Sequence, residues 1–456
     1  MNKLPKGWET NFLKHLCSIK TGDKDVNQGN ENGIYPFFTC AQEISHSDTF
    51  SFEGEAILIA GNGNFNVRFY DGKFEVYQRT YVLQEFTNVN SKYIFYFIKN
   101  KLSDITKGNR GSTIKYIRLG DIANYPIIYP ANKKFQQSIV AKIETLFSEI
   151  DTGIKNLKTA QKQLGQYRQS LLKNAFNGEL TKQWRAENQH RLPTADALLA
   201  QIQTTREQHY QQQLNEWQSA VEIWQENGKQ GKKPSKPKEP KRLEDISSLK
   251  EITLNDLPKQ WFWERLGLIT LGVEYGSSAK SQESGKVPVL RMGNMQNGKI
   301  DWSDLVYSNN DDEINQYLLR KGDVLFNRTN SPELVGKTSI IDTDRKAIFA
   351  GYLIRINHLT EIVDSRYLTY FLNSTIAKNY GNFVKTDGVN QSNINGQKLI
   401  NYPFVFCSIS EQKIIADILD TQLSAADKLA AELEQQLKQA EHLKQAVLKA
   451  AFEGKL

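Results

Sequence analysis

The stretches NRTNS at 327–331 and RMGNMQNG at 291–298 crowd arginine and carboxamide side chains together. Arginine presents a two-pronged donor that fits guanine, and Asn or Gln pairs a donor with an acceptor at the spacing adenine offers, while small hydroxyls adapt to either. Arg328 and Arg291 are candidates for guanine or phosphate, and Asn327, Asn330, Asn294 and Gln296 for adenine, with Ser331 beside them. The same residue types also build turns between strands, and spacing alone leaves both readings open. A second group, KTDGVNQSN at 385–393, sets Lys385, Asn390, Gln391 and Ser392 in a glycine-containing loop. At the corresponding point earlier in the chain, KGNRGSTIK at 107–115 carries Lys107, Arg110, Ser112 and Lys115. Such a compact basic turn suits phosphates, which position a partner without specifying its sequence; its alternative is a solvated loop.

AGNGNFNVRFYDG at 60–72 is the remaining cluster: Asn62, Asn64, Asn66 and Arg68 along an expected hairpin, with Gln78 and Arg79 on its return. Its glycines resemble a phosphate cradle, but the Lys-Ser/Thr ending of a P-loop is missing and no acidic residue stands where a dinucleotide fold needs one. Catalytic constellations are equally lacking. There is no NPPY- or DPPY-type methyltransferase signature, no G-x-S-x-G elbow and no HExxH among six histidines. Glu453-Gly454-Lys455 matches a nuclease ExK fragment without a partner acid. We therefore expect no catalytic and no metal-binding residue.

The elements that must carry these loops come twice. LPKGW at 4–8 returns as LPKQW at 257–261, SKYIFYFI at 91–98 as SRYLTYFL at 365–372, NYPI at 124–127 as NYPF at 401–404, and LLKNAFNGEL at 171–180 as VLKAAFEGKL at 447–456. Self-similarity in a fixed order points to duplicated structure, and the drift in offset is what insertions in surface loops produce. Each half begins with an aromatic-rich mixed α/β region, including strand-like runs such as GEAILIAG (54–61) and GDVLFN (322–327). The SKY and SRY segments read as helices with Ser91 and Ser365 as N-caps.

Each half ends in a long heptad helix. Ile143, Ile150, Leu157, Leu164 and Leu171 hold one seam position, Ile139, Leu146, Ala160 and Tyr167 the alternate one, and Leu433, Ala440 and Val447 repeat the phase 276 residues later. Spacing of this kind favours two helices that pair with each other, and does not by itself decide their direction. Between the halves lie an amphipathic stretch, 195–224, and the lysine- and proline-rich KQGKKPSKPKEPKR at 229–242, which reads as an extended linker or, alternatively, a phosphate-touching arm.

Composition bounds the rest. The 456 residues are 39% hydrophobic and 11% aromatic, enough for several buried cores. A net charge of +7 is spread along the chain, so charge permits nucleic-acid binding without arguing for it. Three scattered cysteines imply neither a disulfide framework nor a zinc site, and no export signal or membrane span is visible, so a cytoplasmic location is expected.

The ordered set LPxxW, variable region, QQSIVAKI (136–143) or EQKIIADI (411–418) opening a heptad helix, then AFNGELTKQWRAEN (175–188) or AFEGKL resembles the specificity subunit of Type I restriction-modification systems. The runs LRMGNMQNGKIDW (290–302) and GDVLFNRTNSPELVGKTSI (322–340) add to the likeness. The resemblance implies an α+β fold: two mixed α/β target-recognition domains joined by two long helices that pair as an antiparallel coiled coil, with a pseudo-two-fold internal repeat. It divides the chain into a first recognition domain at 1–133, a first helix at 134–180, a linker at 181–256, a second recognition domain at 257–409 and a second helix at 410–456.

It also implies a non-enzymatic reader of double-stranded DNA. Each domain would read half of a split asymmetric site, and the helices would set the spacer. The implied partners are two methyltransferase subunits binding S-adenosylmethionine and two motor-nuclease subunits using ATP and Mg, with no membrane involved. A reading from another class is a coiled-coil structural adaptor with two protein-binding domains.

Overall fold

The computed structural model describes residues 6–231, 233–237, 239, 245–249 and 254–456. Leu4 and Pro5 of the first LPKGW, and residues 232, 238 and 240–242 of the lysine- and proline-rich stretch, therefore lie outside the described residues. The chain forms two compact units, one from Met1–Gln161 with Ala431–Leu456, the other from Lys162–Ala430.

Unit 1 is built on a six-stranded sheet in the order Ser18–Thr21, Thr80–Gln84, Phe52–Ala60, Val67–Val76, Tyr35–Phe38 and Ser45–Ser47. Neighbours are antiparallel except Tyr35–Phe38 against Val67–Val76. The run AILIA explains the central strand. Residues 56–60 are all buried, Ile57 and Ile59 in a core with the helix Ser91–Ile105, Ala56 and Leu58 in a core with Phe38 and Phe74. Alternation along a strand sends neighbours to opposite faces, so an unbroken apolar run requires cover on both.

Unit 2 carries a four-stranded antiparallel sheet, Thr270–Tyr275, Leu353–His358, Val324–Asn327 and Thr338–Ile340, and a three-stranded one, Val306–Ser308, Val287–Leu290 and Ile348–Phe349. The strand from GDVLFN again serves two cores: Val324 and Phe326 pack with Ile394 and Tyr402, Leu325 with Leu290 and Phe349.

The motifs that recur in the sequence form the same frame in each unit. Trp8–Phe12, from the first LPKGW, pairs antiparallel with Pro126–Pro130 after the first NYP, and Phe262–Arg265 pairs likewise with Pro403–Phe406. The shared tyrosine of SKY and SRY ties helix to ribbon, Tyr93 Oη donating to Ile128 O at 3.0 Å and Tyr367 Oη to Val405 O at 3.0 Å. Gln136 and Gln412 do the same from the long helices. Each accepts from the backbone at a helix start (Asn90 N at 2.7 Å, Asp364 N at 3.0 Å) and donates to a ribbon or loop carbonyl. The N-caps lie one residue before the serines expected from sequence: the side chains of Asn90 and Asp364 accept the free amides. Asn and Asp reach those amides as well as Ser does, and Ser91 is turned instead to Glu55.

The long helices are Lys133–Phe176 and Ile409–Phe452, 44 residues each. In unit 1 the early turns of the first (Ile139, Val140, Ile143, Phe147) share a core with the last turns of the second (Val447, Leu448, Ala451), and Asp151 further along meets Lys444. Unit 2 shows the reciprocal set: Leu171, Leu172 and Phe176 pack with Ile415 and Leu419, and Arg168 pairs with Asp427 at 2.7 Å. Within each unit the two helices therefore run in opposite directions. The AF-x-G endings explain themselves here. Phe452 sits edge-on against Tyr93 and Phe97 (5.3 and 5.2 Å between ring centroids), as Phe176 does against Tyr367 and Phe371 (5.3 and 5.1 Å). Each helix thus ends in the aromatic slot of the other repeat.

The stretch after the first helix stays in unit 2. Leu198 and Ile202, on the helix Ala195–Glu226, enter its core, and Arg206 donates to the carbonyls of Gly267 and Leu268. Of the lysine- and proline-rich stretch, Lys233 and Lys236 lie over the rings of Trp224 and Trp217 at 6.0 and 5.9 Å. These cations cover the helix that precedes them. No helix among the described residues is long and apolar enough to cross a membrane.

Candidate nucleic-acid interface

In unit 1 three loops are laced by backbone hydrogen bonds. Gly61 N donates to Arg79 O (2.9 Å), Gly63 N to Lys115 O (2.8 Å) and Ile117 N to Gly61 O (2.9 Å), while Asn62 and Tyr116 form a bridge. A side chain at Gly61 would put its Cβ 2.4 Å from Arg79 O, so the approach of loops 61–66 and 77–80 requires glycine there. This lacing brings Asn62, Asn64, Gln78, Arg79, Lys107, Ser112 and Lys115 onto neighbouring loops. Of these, Asn64, Gln78, Arg79, Lys107, Ser112 and Lys115 are exposed and have no side-chain partner among the described residues.

The other candidates of unit 1 hold the loops in place. Asn66 donates its amide to Cys40 O (3.2 Å) and Asn64 O (3.0 Å), and Arg68 donates to Ala41 O (2.8 Å) and Gln42 O. Arg110 pairs with Asp121 at 2.7 Å, and that hydrogen bond holds the Asp121 carboxyl below the usual carboxylate range.

In unit 2 a small ribbon joins the two stretches that the sequence kept apart. Thr329–Asn330 pairs with Ser392–Asn393, which pairs with Thr386–Asp387. Asn393 Nδ2 donates to Thr329 Oγ1 at 2.7 Å, and Lys385 Nζ reaches Pro332 O at 3.2 Å. Arg328, Asn330, Ser331, Lys385, Asn390, Gln391 and Ser392 are thereby assembled on one ribbon and its flanks. Asn390 and Gln391 are exposed at its turn with no side-chain partner among the described residues. Asn330 caps Ser331 N (2.8 Å), and the buried Ser392 hydroxyl donates to Asp387.

Arg328 is half-buried, its guanidinium 4.8 Å from the centroid of the Tyr275 ring and one Nη 3.4 Å from Gly351 O. Tyr275 is itself held by a 2.7 Å hydrogen bond from Gly396 N. Tyr275 lies in no stretch that the sequence singles out, and Thr329 and Asn393, though inside NRTNS and KTDGVNQSN, show their role only through the sheet pairing. Asn327 is fully buried at the end of its strand, and neither its Oδ1 nor its Nδ2 has a hydrogen-bond partner among the described residues.

RMGNMQNG forms a separate loop, where Met295–Gln296 pairs with Lys299–Ile300. Asn294 is buried and closes that loop, donating to Asp301 O (3.0 Å) and Asp304 O (2.7 Å) and accepting from Arg291 N (2.8 Å). Arg291 meets the Asp304 carboxylate at 3.0 Å, and Gln296, exposed, donates to Gly293 O at 2.9 Å. Beside them Asn297 and Gly298 line a cavity of about 330 Å³ together with Lys337 and Lys378.

Each unit thus presents amides and cations on loops held by backbone hydrogen bonds. The description "Type I restriction modification DNA specificity domain" matches residues 5–159 and 274–439, one stretch in each repeat. The chain belongs to this family. Among its specificity-domain relatives, the Type I restriction enzyme EcoDI specificity subunit of Escherichia coli is 39% identical over 186 residues, 41% of each chain. The EcoKI specificity subunit of Escherichia coli (strain K12) is 24% identical over 365 residues, 78% of this chain and 63% of that one. The matched regions thus span less than two thirds of these curated relatives. A solved chain from a study of complex assembly and conformational transition of the type I R-M system shares the fold, with a TM-score of 0.63 at 17% identity and full coverage of both chains.

Proposed function

We propose that this specificity-domain protein is the sequence-recognition subunit of a Type I restriction-modification complex, each unit reading one half of a bipartite, asymmetric duplex site. The observation that carries the reading is the convergence, in both repeats, of amides and cations onto loops fixed by backbone hydrogen bonds, with Asn390 and Gln391 unpaired among the described residues in one repeat and Asn64, Gln78, Lys107 and Lys115 in the other. Exposed Asn390, Gln391, Asn64 and Gln78 have the donor–acceptor pairs that adenine requires, Arg328 and Arg79 have the fork for guanine, and Lys107 and Lys115 have charges for phosphate. The chain supplies no chemistry in this reading. Two methyltransferase subunits would dock along the long helices and bring S-adenosylmethionine, and two motor-nuclease subunits would bring ATP and Mg.

The test is affinity for duplex DNA against salt. Neutralising phosphates releases counterions, so the logarithm of the binding constant should fall linearly with the logarithm of salt, with a slope near −0.9 per phosphate contacted. A coiled-coil adaptor with protein-binding domains would show no such binding.

In the same reading the long helices measure the unread spacer. Deleting one heptad from each shortens it by about 10 Å, so the preferred gap between half-sites should contract by up to about three base pairs at 3.4 Å per step. Mapping methylated adenines made by the assembled complex reads that gap directly. An unchanged gap would show that the helices do not measure it.

A further inference from the structure

The loop that precedes the NYP ribbon is a tight hairpin in both units. In unit 1 Arg110 and Tyr116 exchange both backbone hydrogen bonds, at 2.9 and 2.8 Å, and Gly111 adopts φ +98°, with the carbonyl of Ile114 only 2.2 Å from where a Cβ would stand. In unit 2 the pairs Thr386–Asn393 and Asp387–Ser392 lead to a turn closed by Gly388 N donating to Gln391 O at 2.7 Å. At each tip sits a β-branched aliphatic residue in water: Ile114 is 61% exposed and Val389 is 101% exposed. Turn positions ordinarily take Gly, Asn, Asp or Ser, and an apolar side chain left in solvent does nothing for the fold.

Single exposed apolar residues are common on protein surfaces, and Ile34, 79% exposed, is one here. Ile114 and Val389 differ from it in three respects. Both lie in the loop that precedes the NYP segment, Ile114 two residues before Tyr116 and Val389 two residues after Asp387, they ride on the hairpins that carry the reading residues, and polar groups flank them: Ser112, Thr113 and Lys115 in one case, Asn390 and Gln391 in the other. A two-stranded ribbon fits the major groove, and the apolar feature displayed on that groove's floor is the thymine 5-methyl group.

Resting on the DNA-reading function above, we propose that Val389 and Ile114 each read a thymine by packing against its methyl group. Asn390 and Gln391 then hydrogen-bond an adenine beside the thymine that Val389 touches. Because the two tips differ by a methylene, their reach into the groove differs between the half-sites.

The test uses the full chain with its methyltransferase partners and a synthetic duplex of the site found by methylated-adenine mapping. Each thymine, on either strand, is replaced in turn by deoxyuridine, which lacks only the methyl. The expected result is one position in each half-site where deoxyuridine weakens binding by about fourfold, the value of one buried methyl-sized group. Val389→Ala should weaken binding to the thymine duplex by a similar factor and lose sensitivity at one of those positions while keeping the other; Ile114→Ala should do the converse. Both side chains are at hairpin tips in solvent, so the variants should keep the fold. The proposal is overturned if the wild type is indifferent to deoxyuridine at every thymine, or if the two variants remain as sensitive as the wild type. Loss of all salt-dependent duplex binding would instead defeat the DNA-reading function, whereas salt-dependent binding with indifference to deoxyuridine defeats this inference alone.

Discussion

Replacing Arg185 by alanine should destabilise unit 2 by about 3–5 kcal/mol, the usual cost of leaving a buried charge without its partner. Glu411 is that charge. Its side chain is 1% exposed, and Arg185, 11% exposed, meets it through Nε at 2.8 Å. Thr181 Oγ1 and Trp261 Nε1 supply two further hydrogen bonds at 2.8 Å, and the Arg185 guanidinium stacks 4.9 Å from the Trp261 ring while donating to Gly178 O at 2.6 Å. Removing the arginine keeps the neutral donors and strips the countercharge. The check is urea unfolding followed by tryptophan fluorescence, which reports on unit 2 because every tryptophan except Trp8 lies within Lys162–Ala430. Adding Glu411→Gln to the Arg185→Ala variant removes the stranded carboxylate and should recover part of the loss. A midpoint for Arg185→Ala that corresponds to less than about 1 kcal/mol would mean that the carboxylate is relieved in some other way.

Replacing Arg328 by alanine should relax discrimination at one base pair by about 1–3 kcal/mol while leaving the other positions of the site as selective as before. The side chain has the preorganisation that a base contact needs, being pressed on Tyr275 with its backbone N–H bonded to Tyr352 O at 3.0 Å. Lysine should not substitute. It lacks the planar fork and the stacking face, so Arg328→Lys should lose nearly the same discrimination. Competition binding against single-base-pair variants of the site gives the answer. A loss that is equal on every sequence would assign Arg328 to a phosphate, where it would position the protein without specifying.

The frame of each unit was legible because its motifs act locally or repeat in order. LPxxW and NYP mark two strands of one ribbon, the SKY and SRY tyrosines close it, and the heptad spacing of Ile143 to Leu171 announces a helix whichever partner it finds. The fate of the helix ends was not legible. Phe176 and Phe452 each fill a slot made of a tyrosine and a phenylalanine one turn apart, and since both repeats offer the same slot, composition cannot say which one is filled. The difficulty with the candidate site was of another kind. Asn294 and Asn390 look alike in a sequence, yet one closes a buried loop because the carbonyls of Asp301 and Asp304 stand within reach, and the other is exposed at a turn with no side-chain partner among the described residues. Those environments are set by strand pairings far along the chain. Thr329–Asn330 with Ser392–Asn393 is one such pairing, and no local pattern announces it.

The exchange of helix ends also governs the order in which the molecule can be completed as it is synthesised. The core around Tyr93, Ile139 and Ile143 lacks Val447, Leu448, Ala451 and Phe452 until they emerge from the ribosome, roughly 300 residues after the rest of that core. At ribosomal speeds of about 5–20 residues per second, the first half of the nascent chain waits roughly 15–60 s with an open apolar face. Unit 2, assembled from one continuous stretch, closes before it.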